Sequence, residues 1–123
     1  YRDRLLESCR LAAAGMPLPG WELAFQSASH TGEQWLGPDL VEAIDRSGVR
    51  RALVCPIGFV ADHLEILYDI DIEAMRFARE HGIELRRTVS FNARPDFIDA
   101  LATVVSDALK VTSRQHSARI MEG

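Results

Sequence analysis

Apolar and polar residues follow two different periods along this chain. Apolar residues at helical spacing predict four helices, over residues 2–14, 38–48, 62–81 and 95–111. Short apolar or alternating runs predict three strands, at Trp21–Ser27, Arg51–Cys55 and Ile83–Val89. Gly48 and Gly82 are expected to end the second and third helices, and the polar tail after Val111 is expected to fray.

The predicted elements alternate in the order α-β-α-β-α-β-α. Strands that are separated by helices pair in parallel through right-handed crossovers. A parallel sheet is normally covered by helices on both faces and is usually wider than three strands. We therefore predict one α/β, three-layer, doubly wound domain over residues 1–123, with a small parallel sheet that lacks at least one strand.

Composition excludes several classes of protein. The 123 residues are enough for one domain, and 47% of them are hydrophobic, which allows a modest core. The net charge is −4 and Lys110 is the only lysine, so no basic stripe indicates a nucleic-acid partner. No apolar run approaches the roughly 20 residues of a transmembrane helix. Cys9 and Cys55 are too far apart for a zinc or iron–sulfur motif, and we expect reduced thiols in a cytoplasmic protein.

An acidic helix follows the second predicted strand. Pro56 and Gly58 break that strand, and the helix after them carries Glu65, Asp69 and Glu73 at intervals of four residues. Like charges so placed repel each other unless a cation lies against them. Carboxylates suit cations such as Fe²⁺ and Mg²⁺, and a locally wider, π-type turn would keep the three acids in line. The alternative is that they form a solvated helix face.

Asp62 and His63 lie where this helix is expected to begin. Asp62, followed three residues later by Glu65, fits a helix N-cap, an interpretation that does not exclude a catalytic role. His63 fits a proton carrier or a labile metal ligand, and equally a surface histidine at a helix N-terminus.

Two other groups of residues have both a chemical and a structural interpretation. Phe25, Gln26 and Trp35 surround the loop after the first predicted strand, where aromatic side chains either pack into the core or line the pocket of a flat ligand. Arg86 and Arg87 lie in the third predicted strand, where they either meet carboxylates or are simply exposed.

Three blocks of this sequence resemble the ferrochelatase family, in its C-terminal half. They are PIGFVADHLEILYDIDIE (Pro56–Glu73), Phe25–Ser27 with Trp35–Asp39, and Phe91–Asn92 with Pro95–Ala102. The resemblance implies a Rossmann-like, chelatase-type fold in which two similar halves enclose a porphyrin. It also implies the insertion of Fe²⁺ into that porphyrin, with loss of two pyrrole protons, in haem biosynthesis. Coproporphyrin III and protoporphyrin IX both remain open as the substrate.

The same resemblance implies roles for individual residues. Glu65 would be the active-site glutamate that faces the porphyrin, and His63 would lie beside it as a proton relay. Asp69 and Glu73 would continue an acidic metal path along a π-distorted helix. The porphyrin pocket would include Phe25–Ser27.

Several features of the chain depart from the family pattern. The chain begins at Tyr1 and lacks the metal-facing histidine motif expected just before it, so we expect an inactive C-terminal fragment whose partner is the missing N-terminal half. The tail has no cysteine, so we expect no [2Fe-2S] cluster and no permanently bound cofactor, with Fe²⁺ as substrate and possible Mg²⁺ binding at the acidic row. The alternatives are a stand-alone small chelatase that acts as a homodimer, and a non-catalytic porphyrin- or metal-binding module.

Overall fold

The computed structural model describes residues 1–26 and 37–121, with side chains up to residue 111. Its elements are α1 (Arg2–Ala14), α2 (Leu40–Ser47), β1 (Arg51–Val54), a π-helix (Ile66–Ala74), α3 (Met75–Glu80), β2 (Glu84–Arg87) and α4 (Pro95–Met121). Ser27, the predicted loop 28–34, Trp35 and Leu36 lie outside the described residues. The chain divides into two compact units, Tyr1–Ser90 and Phe91–Gly123.

The first unit contains a parallel sheet of two strands. Arg51 pairs with Glu84 and Val54 with Arg87, and the ladder is extended by a 2.9 Å bond from the Thr88 amide to the Val54 carbonyl. The α/β class with a small parallel sheet is therefore confirmed, and so are the second and third predicted strands, with shorter bounds. One face of the sheet, which carries Leu53 on β1, is exposed.

The predicted first strand is wrong over the residues described. Residues 21–24 have no regular structure, and Phe25 forms only an isolated parallel bridge with Asp39. The Phe25 amide donates to the Pro38 carbonyl and the Leu40 amide donates to the Phe25 carbonyl, each at 2.9 Å. Alternation predicts which residues can face a core, but a strand also needs a neighbouring strand along its length.

The core of this unit lies between α2, the sheet and the two consecutive helices that precede β2. Ile44 of α2, Ala74 and Ala78 of the helices, and Leu85 of β2 form its buried cluster. Two of these four residues are alanines, so the helical backbone approaches the sheet closely. This packing determines which side of the π-helix faces outwards.

Local sequence signals mark the ends of two helices. Gly48 (φ 62°) and Gly82 (φ 68°) adopt the left-handed conformation that favours glycine, and they follow α2 and α3 as predicted. The Asp39 carboxylate caps α2 by accepting from the amides of Val41 (2.8 Å) and Glu42 (3.4 Å).

The second unit is dominated by one long helix. The chain turns at Asn92 (φ 50°), and α4 begins at Pro95, as predicted. The expected fraying after Val111 is wrong, because α4 continues to Met121. Its apolar side chains at helical spacing are exposed: Ile98, Leu101, Val104, Val105 and Leu109. In the part of the chain described, no helix combines the length and the apolarity needed to cross a membrane.

Candidate active site at an acidic π-helix

The connection from β1 to the π-helix is a sequence of tight turns. Beyond Val54, the Ile57 amide donates to the Cys55 carbonyl (2.8 Å) and the Phe59 amide donates to the Pro56 carbonyl (3.1 Å). Pro56 has no amide hydrogen to continue the ladder, so the strand ends where the turns begin. After these turns the chain reaches His63, where the helical segment starts.

The His63 side chain caps this helical segment. The Nδ1 atom of His63 accepts a hydrogen bond from the Glu65 amide at 3.3 Å. The backbone carbonyl of His63 accepts a second one, from the Leu67 amide, at 3.0 Å. In this arrangement Nδ1 carries no hydrogen, so the proton of the neutral ring lies on Nε2. The ring also makes an edge-to-face contact with Phe59, with centroids 4.2 Å apart.

The other ring nitrogen of His63 is buried. Nε2 has no hydrogen-bond partner among the residues that the structure describes. A buried N–H group without a partner is unfavourable and uncommon in folded proteins. The role of His63 as a proton carrier stays a prediction.

The predicted N-cap residue, Asp62, has a different set of partners. Its Oδ1 atom accepts from Arg87 Nη1 at 3.1 Å and from the Ser90 hydroxyl at 2.8 Å. These contacts hold the carboxylate to β2 and to the residues that follow it, and a helix-capping role of Asp62 stays a prediction.

Arg87 also binds the π-helix. Its Nε and Nη2 atoms donate to the two carboxylate oxygens of Asp71 at 2.8 and 2.9 Å, a bidentate pair. These hydrogen bonds raise the pKa of the Arg87 guanidinium above its usual value. The Arg87 side chain is only 15% exposed, whereas that of its neighbour Arg86 is 77% exposed. Of the two arginines, only Arg87 meets the helix acids.

The π-helix arranges acidic and apolar residues in parallel rows. In an α-helix, a step of four residues overshoots a full turn by about 40°, and the i→i+5 bonds of a π-helix reduce that overshoot by widening the turn. Ile66, Ile70 and Ala74 are at most 1% exposed and form the buried row. The acids one position earlier, Glu65, Asp69 and Glu73, form a second row, which we call the acidic row. The predicted π-type widening is confirmed.

The acidic row is more open at its start than further along. Glu65 is exposed, whereas Asp69 and Glu73 are partly buried. No Lys or Arg within the described ranges forms an ion pair with Glu65 or Glu73. Within the same ranges, no group of three or more His, Cys, Asp or Glu side chains is placed to hold one metal ion together. The geometry is that of successive carboxylates, not of a closed cage.

Of the residues expected in the porphyrin pocket, Phe25 lies beside the start of α2. Phe25 is 9% exposed and is held by its bridge to Asp39. The Nε2 atom of Gln26 is buried and has no hydrogen-bond partner within residues 1–26 and 37–121. Ser27 lies outside the described residues. The role of these three residues in a pocket stays a prediction.

Sequence reasoning left open whether Arg87 meets carboxylates, and it assigned no role to Asp71 or Ser90. A usable signal was present, because residues two apart on a strand share a face. Leu85 is apolar and 8% exposed, and Arg87, two residues later, shares its side of the sheet. A surface depression of about 350 Å³ opens beside Asp71 between α3 and β2, and it includes none of the predicted site residues.

Comparisons with known proteins identify the family. Residues 1–109 match the family model described as Ferrochelatase. A ferrochelatase of Herpetosiphon aurantiacus is 46% identical over 109 residues, which cover 86% of this chain and 36% of the relative. A ferrochelatase of Deinococcus radiodurans is 43% identical over 110 residues, covering 85% and 35%.

A coproporphyrin III ferrochelatase of Bacillus subtilis is 41% identical over 109 residues, again covering 85% of this chain and 35% of the relative. This chain thus spans about a third of the length of the curated relatives it matches. The family model covers most of the chain and includes the whole acidic π-helix. The resemblance seen in the sequence is confirmed, and the chain belongs to the ferrochelatase family.

Proposed function

We propose that this chain supplies the metal-delivering and proton-accepting side of an enzyme that inserts Fe²⁺ into a porphyrin in haem biosynthesis. The observation that carries the proposal is the acidic row of a ferrochelatase-family chain, in which Glu65 directly precedes the π-helix and Asp69 and Glu73 lie on it. The remaining wall of the site would come from the part of the enzyme that corresponds to the unmatched two-thirds of the relatives. A cytoplasmic location stays a prediction.

The reaction defines what the site residues must do. The porphyrin gives up two N–H protons and binds Fe²⁺ through four nitrogens, so the products are the iron porphyrin and two H⁺. A base must accept these protons near neutral pH, because pyrrole N–H groups are weak acids. In this proposal Glu65, which is exposed at the start of the acidic row, would accept the protons, and the buried Nε2 of His63 would be the atom through which a proton passes.

The absence of a closed cage among the described residues suits the delivery of a metal that must be released. Single carboxylates hold Fe²⁺ or Mg²⁺ weakly, whereas a set of thiolates and imidazoles would retain the metal. Glu65, Asp69 and Glu73 would then pass the ion along the π-helix in steps. Mg²⁺ binding at the same row follows from the same oxygen chemistry.

The identity of the porphyrin is part of the proposal. The B. subtilis relative is named for coproporphyrin III, whereas the H. aurantiacus relative is named only as a ferrochelatase. Phe25, Gln26 and Ser27 are proposed to contact the porphyrin. Activity assays should therefore offer coproporphyrin III and protoporphyrin IX side by side.

The decisive experiment substitutes the first acid of the row. In a chimera that joins this chain to the unmatched part of the H. aurantiacus relative, we expect Glu65→Gln to lower kcat for Fe²⁺ insertion by about 100-fold or more. Porphyrin binding, followed by fluorescence, should persist. Glu80→Gln, an exposed carboxylate on α3, is the matched control and should keep the parent rate.

The later acids should affect the metal rather than the chemical step. Asp69→Asn and Glu73→Gln are expected to raise KM for Fe²⁺ more than they lower kcat, because they would act before the metal reaches the porphyrin. Near-parent turnover in Glu65→Gln would remove that residue from the mechanism. If KM for Fe²⁺ stayed at the parent value in both of these variants, the acidic row would be a solvated helix face with no part in metal delivery.

A further inference from the structure

Arg87 joins three separate segments of the first unit. From β2 it reaches Asp62, which precedes the capping residue His63, and Asp71, which lies between two acids of the acidic row. The same guanidinium donates to the Thr88 carbonyl at 3.1 Å, so four hydrogen bonds hold it in place. Its partners are 25 and 16 residues away along the chain.

We propose that Arg87 is a positioning residue for the metal path, which fixes the start and the middle of the acidic π-helix relative to the sheet. The inference rests on the proposed function, since the acidic row must carry metal for its position to affect catalysis. Arg87 would contact neither the porphyrin nor the metal. It acts through Asp62 and Asp71.

Charge supports this role. The segment from Asp62 to Glu73 contains five acids and no lysine or arginine. Arg87 pairs with two of these five, Asp62 and Asp71, which are the two outside the acidic row. It therefore reduces the repulsion that would open the helix, without placing its own charge on Glu65 or Glu73.

Geometry makes the arginine specific. The planar guanidinium binds both oxygens of Asp71 on one edge and reaches Asp62 with Nη1, which a single ammonium group cannot reproduce. Ser90, which is 8% exposed, supplies a second donor to the same oxygen of Asp62. Asp62 is therefore held by two donors. His63 is the next residue in the chain, and Glu65 follows two positions after it.

The test compares two adjacent arginines in the chimera. We expect Arg87→Lys to raise KM for Fe²⁺ on the order of 10-fold, the lower range for residues that orient metal ligands, with kcat changed less than about 2-fold. Arg86→Lys, next to it but exposed and paired with Glu84, should match the parent. Mn²⁺ alone, titrated by electron paramagnetic resonance, should bind Arg87→Lys more weakly by a similar factor.

A purely structural role would give a different result. It would lower the melting temperature and the active fraction, and hence kcat, while KM and the Mn²⁺ affinity of the folded protein stayed at the parent values. That pattern overturns the inference. If Arg87→Lys does not fold, Ser90→Ala decides, because it removes one donor to Asp62 and should shift KM in the same direction by a smaller factor.

The experiment also separates this inference from the function on which it rests. If the parent chimera neither inserts Fe²⁺ nor binds Mn²⁺, the proposed function fails first, and the inference fails with it. If the parent is active and Glu65→Gln is inactive, but Arg87→Lys behaves like Arg86→Lys, only the positioning role is lost.

Discussion

At the scale of single residues, one hydrogen bond determines how the candidate site begins. The His63 ring accepts from the Glu65 amide, and this cap leaves its proton-bearing nitrogen buried. The neighbouring Asp62 is turned away towards Arg87 and Ser90. Two adjacent polar residues thus make different contacts: His63 caps the helical segment, and Asp62 binds β2 and Ser90.

A second residue-scale pair gives a pH prediction. Arg94 donates to both carboxylate oxygens of Asp96 at 3.1 and 2.7 Å, and this pairing holds the pKa of Asp96 below its usual value. Because the folded pKa is depressed, the pair stabilises α4 above the unfolded pKa of Asp96. That stabilisation is lost as the pH falls through the folded pKa.

We expect Arg94→Gln to raise the pKa of Asp96, because both hydrogen bonds to a cation disappear. Carboxyl chemical shifts, followed by nuclear magnetic resonance during an acid titration, measure the midpoint directly. Lys110→Gln removes an exposed cation further along the same helix and should leave the Asp96 midpoint in place. An unmoved midpoint in Arg94→Gln would mean that the pair does not persist in solution.

At the scale of elements, the π-helix connects packing to chemistry. The buried row holds the helix against the sheet, and each acid of the acidic row lies one position earlier in the chain. Burial of the apolar side chains therefore determines the direction in which the acidic side chains point. The two rows share the same four-residue period because the widened turn acts on every side chain of the segment. The core alanines at 74 and 78 allow the close approach.

The packing of this element can be tested with two isoleucines. Ile70 is 1% exposed and Ile72, on the same helix, is 52% exposed. We expect Ile70→Ala to lower the free energy of unfolding by about 2–5 kcal/mol, as for other large-to-small core substitutions. Ile72→Ala should change it by less than about 0.5 kcal/mol. Urea unfolding measures both, and equal effects would contradict the burial of the row that orients the acids.

At the scale of the whole molecule, the length of the relatives indicates what catalysis would require. The relatives are almost three times as long as the matched segment, and a porphyrin is large enough to need more than one wall. The described part of this chain contributes a π-helix with its acids and a small sheet beneath it. We therefore propose that catalysis requires the part of the enzyme that corresponds to the unmatched length.

Mixing experiments test this requirement. We expect no Fe²⁺ insertion by this chain alone, and activity after it is combined with the separately expressed unmatched part of the H. aurantiacus relative, followed by porphyrin absorbance. Activity of the chain alone would favour a self-sufficient homodimeric chelatase. Inactivity of a mixture that is folded and associated would favour a non-catalytic binding module.

Much of the local structure and of the candidate site could be predicted from the sequence. The glycines that end α2 and α3, the proline that begins α4, the wide turn and the row of acids all depend on residues close together in the chain. The predicted strand at 21–27 failed over its described part, because alternation says which side chains are apolar and not whether a neighbouring strand exists.

The sequence by itself determined the family, the acidic row and its four-residue period, since these are properties of consecutive side chains. Only the tertiary structure decided that Arg87, and not Arg86, meets the helix acids, and that Asp62 binds Arg87 and Ser90. Those contacts join residues 16 to 28 positions apart. Such partners become neighbours only when the core has closed, because burial of the apolar row brings the π-helix against β2.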